Sequence, residues 1–65
     1  MLRDIFDITN YKAKVTLRVF DMSEGHLGEY EDIMVTIDNV DYYNDNFSIS
    51  CLVPMEDELL IEGTI

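Results

Sequence analysis

The chain reads as a small, mainly β domain: a four-stranded antiparallel meander, or its α+β variant with one short N-terminal helix. Three observations predict it. Apolar and polar residues alternate with a period of two in successive segments, the pattern of half-buried strands. Between the segments stand clusters of Gly, Asn, Asp or acidic residues that favour turns. A single register then puts the apolar residues of every segment on one face.

The first strand is predicted over residues 12–21. Ala13, Val15, Leu17 and Val19 interleave there with Lys12, Lys14, Thr16 and Arg18. The segment SEGHLGE (23–29) carries Gly25 and Gly28 and reads as a turn. A second strand over 31–38 sets Ile33, Val35 and Ile37 on one face and Asp32, Met34, Thr36 and Asp38 on the other. NVDYYNDN (39–46) is rich in Asn and Asp, which bond their own backbone in turns. A third strand over 47–53 places Phe47, Ile49, Cys51 and Val53 inward. Pro54, lacking an amide hydrogen, ends it. After MEDE (55–58), residues 59–65 give a fourth strand with Leu59, Ile61 and Ile65 inward.

In the meander register Leu17 faces Val35, Val35 faces Ile49, and Cys51 faces Ile61. On the other face Lys14 lies across from Asp38, and Arg18 is diagonal to Asp32. Met34, Leu52 and Leu60 form a small apolar strip there, ringed by acids. The inward face needs a cover. Leu2, Ile5 and Phe6 stand at helical spacing and suit a short helix; alternatively Ile5 to Ile8 adds a fifth strand and the sheet curls into a small barrel. Dimerisation is the third way to complete the core. Lys12 and Lys14 guard the edge of the first strand, whereas the fourth has neither lysine nor proline, so its edge is the natural place for a second chain.

With 65 residues, one domain over 1–65 is expected, and a chain this size buries only about 60% of its unfolded surface. A hydrophobic fraction of 48% fits a globular domain and excludes an acidic disordered tail. The lone Cys51 cannot form an internal disulfide, and with His26 alone it cannot build a zinc site without acids. Packing or self-association must supply stability, which favours a homodimer. MLRDIFDITN shows no secretory pattern, no segment approaches the roughly 20 apolar residues of a membrane span, and an unpaired thiol suits a reducing compartment. Cytoplasmic location is the expectation.

Charge is the sharpest feature. Residues 1–18 hold all four bases (Arg3, Lys12, Lys14, Arg18) against Asp4 and Asp7, while residues 19–65 hold the other twelve acids and no base, for a net charge of −10. Such a surface repels nucleic acid and anionic membrane and attracts basic protein surfaces. Acidity that merely keeps the domain soluble accounts for the same numbers.

Catalysis is not expected. Glu56, Asp57 and Glu58 are consecutive in a loop, and Glu29, Glu31 and Asp32 flank a glycine turn, so both carboxylate clusters look solvated rather than fixed in a concave site. Asp38, Asp41, Asn44, Asp45 and Asn46 resemble calcium ligands in kind, but lack the glycine and closing glutamate of an EF-hand loop, and turn chemistry explains them. No metal or cofactor is therefore expected. Tyr42 and Tyr43 are adjacent, so in extended chain at least one faces outward and can anchor an interface.

The resulting expectation is an acidic binding protein that occupies a basic surface of another protein, such as the groove in which a nucleic-acid enzyme holds phosphate. Carboxylates along a rigid sheet gain the attraction that a phosphate row would. In charge and size, though not in sequence, this parallels small phage-encoded inhibitors of restriction, CRISPR or repair enzymes. The candidate residues are Glu29, Glu31, Asp32, Asp38, Asp41, Tyr42, Tyr43, Asp45, Glu56, Asp57 and Glu58. The alternative is an assembly module that oligomerises through its C-terminal strand.

Overall fold

A computed structural model of the chain describes residues 1–9, 12–20 and 30–65. The order of elements is α1 (Leu2–Thr9), β1 (Lys14–Phe20), β2 (Tyr30–Met34), α2 (Val40–Asn46), β3 (Ser48–Pro54) and β4 (Glu58–Thr64). Among the described residues four strands make one open, mixed sheet, and the two helices contribute to the core on one side of it. The turn predicted at 23–29, with His26 and Glu29, falls outside the described residues.

Of the two alternatives for the N-terminal apolar residues, a short helix or a fifth barrel strand, the structure has the helix. Leu2 and Phe6, four apart, stack on one face and are buried, with Ile5 packed beside them. In β1 the alternation holds as read: Val15, Leu17 and Val19 are buried, while Lys14 is exposed. The strand starts two residues later than predicted, because the amides of Lys12 and Ala13 both donate to the Thr9 carbonyl as the chain leaves α1.

β2 is shorter than the predicted 31–38. The Val35 amide still donates to Val15, at 2.8 Å, and then side chains capture the backbone. The Thr36 amide donates to Asn39 Oδ1 at 2.8 Å, Asn39 Nδ2 donates to the Met34 carbonyl at 3.0 Å, and the Asp38 amide donates to Thr36 Oγ1 at 3.2 Å. These local bonds offer the chain an alternative to the ladder. Ile37, read as a core residue, is consequently 78% exposed. The turn leads directly into α2, where a loop was predicted. Val40, Tyr43 and Asn44, at positions i, i+3 and i+4, supply the helix's inner face: Val40 is buried and Tyr43 packs against the core. Tertiary packing here overrides the weak helix propensity of Asn, Asp and Tyr.

The sheet is not the predicted meander. Strand order is β2-β1-β4-β3, with β1 and β4 parallel at the centre and an antiparallel hairpin partner outside each. β2 and β3 do not pair; α2 carries the chain from one sheet edge to the other. β4 is therefore interior, and the edge expected there for a second chain does not exist. Nor is β1 an edge guarded by lysines. The reason lies in Leu59-Leu60-Ile61. Ile61 is fully buried toward the helices, and Leu60, on the opposite face, is only 4% exposed. A run that is apolar on both faces belongs in the middle of a sheet.

The predicted parity holds between β1 and β2 and in the first residues of β3, and fails beyond Ile49. Leu17 lies opposite Ile33 instead of Val35, a slip of two that keeps every residue on its face. β3 and β4 begin in the predicted register, Ser48 opposite Thr64 and Ile49 opposite Gly63, and then a bulge between Ile49 and Cys51 shifts it by one. That shift flips the rest of β3. Cys51, read as a core residue, is exposed opposite Glu62, and Val53 lies opposite Leu60. Lys14 stands beside Glu58, not Asp38.

Gly63 matters for the space it leaves. A Cβ there would lie 2.1 Å from the Ser48 carbonyl oxygen and 2.6 Å from Phe47 Cζ. Its absence lets the buried Phe47 ring close the core where β3 meets β4.

Candidate protein-binding surface

The acidic candidates divide into three groups. The first belongs to α2 and the turn before it. Asp41, Tyr42 and Asp45 are exposed on the helix, and Asp38 is exposed one turn earlier. In a helix, residues four apart share a face, so Asp41 and Asp45 stand together with Tyr42 alongside. Tyr42 is 56% exposed, while its neighbour Tyr43 is half-buried against the core; the rings meet edge to face, 5.0 Å between centroids. One of the two tyrosines thus faces outward, on a helix rather than in the extended chain for which that was expected. The buried partner steadies the exposed one at little entropic cost.

α1 holds this helix in place. The Met1 amine and the Arg3 amide both donate to Asn44 Oδ1, at 3.1 and 3.0 Å. Asn44, singled out as an oxygen ligand, instead satisfies a donor that the first turn of α1 would leave unpaired. The Arg3 guanidinium bonds Asp41, and that hydrogen bond, more than the charge attraction itself, raises its pKa above the ordinary arginine value. One acid of this face is therefore shared with a base, and Asp38 and Asp45 flank it.

The second group lies on β2. Asp32 accepts from Arg18 Nε and Nη2 at 3.0 and 3.2 Å, directly opposite it in the ladder rather than diagonal. The hydrogen bond from Arg18 holds the Asp32 carboxyl below the usual carboxylate range against a smaller opposing effect of burial. The same bond raises the Arg18 guanidinium. That guanidinium also sits 4.3 Å over the Tyr30 ring, which leans on Phe20 at 5.5 Å. Asp32 is thus a component of the sheet. Glu31 is exposed opposite Val19.

The third group is the hairpin tip. Glu56 and Asp57 are exposed; Glu58 is half-buried and accepts from Thr16 Oγ1 at 2.5 Å. The ladder running Met34, Thr16, Leu60, Val53 across all four strands places this tip and the Thr36–Asn39 turn at the same end of the sheet. The structure therefore assembles Asp38, Asp41, Tyr42 and Asp45, puts Glu56 and Asp57 at the end where α2 begins, and assigns Asp32 and Glu58 internal partners.

Among the described residues no group of three or more His, Cys, Asp and Glu side chains is placed to hold a metal ion, and no helix is long and apolar enough to cross a membrane. Comparison with family models, with curated proteins and with solved structures gave no match.

Proposed function

We propose that this is a binding protein that docks the outer face of α2 on a basic surface of another protein. The observation that carries the reading is Tyr42, a half-exposed ring held on a packed helix among Asp38, Asp41 and Asp45. An aromatic anchor inside a charged rim is the usual anatomy of a specific interface. The long base-free stretch supports a basic partner, of the kind that otherwise holds nucleic-acid phosphate, and the mode of action is competition for that surface, as in phage anti-defence inhibitors.

The roles separate in kinetics. Rim acids set the association rate and its salt sensitivity, while the central ring sets dissociation. Replacing Asp38, Asp41 and Asp45 together by Asn is expected to slow association and flatten its salt dependence. Tyr42→Ala is expected to speed dissociation and leave association nearly unchanged. A folded triple variant that associates as fast and as salt-sensitively as the parent contradicts the proposal, and an assembly role through a sheet edge then becomes the better reading.

A further inference from the structure

We propose that the outer edge of β3 accepts one extended strand from the partner protein, a strand with uncharged residues in its middle and Lys or Arg at both ends. The inference rests on the acidic-binding reading for the sign of the partner's charge, and adds the mode of recognition.

Among the described residues the open sheet has two edges, β2 and β3, and they are built differently. β2 carries Glu31 and Asp32, and charge on an edge strand discourages pairing. β3, SISCLVP, has no charged side chain in seven residues, and Ser48, Ser50, Cys51 and Leu52 are exposed. An edge strand presents unpaired amide and carbonyl groups to whatever lies beside it. The bulge between Ile49 and Cys51 and the proline at position 54 limit an added strand to a short stretch, which suits docking and resists open-ended stacking.

The ends of β3 select the occupant. Asp45 lies just upstream and Glu56 and Asp57 just downstream, all exposed. At about 3.3 Å per residue the strand between them spans roughly 23 Å. A second copy is the poorest fit. Laid antiparallel, its Asp45 would meet Glu56 and Asp57 of the first; laid parallel, each acid would meet its twin, in chains that each carry −10. A strand with bases at both ends turns the same geometry into attraction, while main-chain bonds supply the affinity.

The test uses the intact protein and a synthetic peptide of alternating Thr and Val flanked at each end by two lysines. Its counterpart carries the same charges but is N-methylated at every second amide. The expected result is slowed hydrogen exchange at β3 amides on addition of the first peptide, about tenfold weaker binding of the methylated one, and weakening of both by salt. Equal binding of the two peptides, or protection at residues 37–46 with none in β3, overturns strand addition while leaving the acidic reading in place. Binding that is indifferent to salt overturns the acidic reading itself. Free protein that sediments as a dimer with β3 already protected gives the edge to a second copy and also overturns the inference.

Discussion

Gly63→Ala tests the packing of the whole C-terminal half with one carbon atom. The new Cβ would stand 2.1 Å from the Ser48 carbonyl oxygen and 2.6 and 2.9 Å from two carbons of the Phe47 ring. Ordinary contact begins near 3.4 Å, so β3 and β4 must part by more than an ångström or the ring must leave the core. Rotamer changes cannot relieve the closest contact, because it is with backbone. Overpacking of this kind costs about 1–3 kcal/mol, and the upper end applies where the neighbour cannot yield. A domain this small rarely has more than about 3–5 kcal/mol in total. A loss of about 3 kcal/mol corresponds to a fall of roughly 12–24 °C in melting temperature. Thermal unfolding followed by circular dichroism measures it, with Thr64→Ala, one residue on and half-buried, as the mild control. Removing the ring clash with Phe47→Leu is expected not to rescue Gly63→Ala. A Gly63→Ala protein melting within about 4 °C of the parent would refute the register of β3 on β4 and the place given to Phe47.

Two further outcomes follow from the contacts. Asn44→Ala deprives the first turn of α1 of its acceptor and is expected to cost about 1 kcal/mol, with early loss of exchange protection in residues 2–9, measured by denaturant titration and hydrogen exchange. The Arg18–Asp32 pair gives a pH signature. Because the folded-state pKa of Asp32 is depressed, its stabilisation is fully present above the usual carboxylate range and is lost as pH falls through the folded value. The stability difference between parent and Asp32→Asn is thus expected to shrink on acidification below that range; a difference that stays constant in acid means the pair does not hold.

What the sequence disclosed was governed by local periodicity. The spacing of Leu2, Ile5 and Phe6 allowed α1 but left a fifth strand open, the alternation in residues 15–19 announced β1, and parity survived a slip of two in β1–β2 because the period of a strand is two. What it concealed required comparison of distant segments. Strands β1 and β4, about forty residues apart, pair at the centre of the sheet and are its most buried strands, and Leu60 flanked by Leu59 and Ile61 was the available sign of a strand buried on both faces. The turn at Thr36–Asn39 was hidden by Ile37, which continues the alternation although side-chain bonds from Thr36 and Asn39 have already ended the strand. Residues 39–46 carry turn chemistry, and only their contacts with α1 and the core make them a helix. The bulge after Ile49 has no signature in SISCLVP, so the exposure of Cys51 was out of reach. For the site, the acids and the outward tyrosine were legible as residue types. The neighbourhood of Arg18 and Asp32 was legible from strand parity, although as a diagonal, whereas the engagement of Asp41 by Arg3 and of Glu58 by Thr16 depends on tertiary placement.

The central claim is that a basic partner rests on the Tyr42 face of α2, and a footprint of the complex tests it most directly. A partner captured from the cells that make the protein, at low salt, is added to the isotopically labelled chain, and amide hydrogen exchange is compared with and without it. The account predicts protection at residues 37–46, joined by the β3 amides where the partner adds its strand, abolished by Tyr42→Ala and reduced at high salt. Protection confined to the open face of the sheet around Thr16, Arg18, Leu60 and Glu62, with residues 37–46 unchanged, would contradict it.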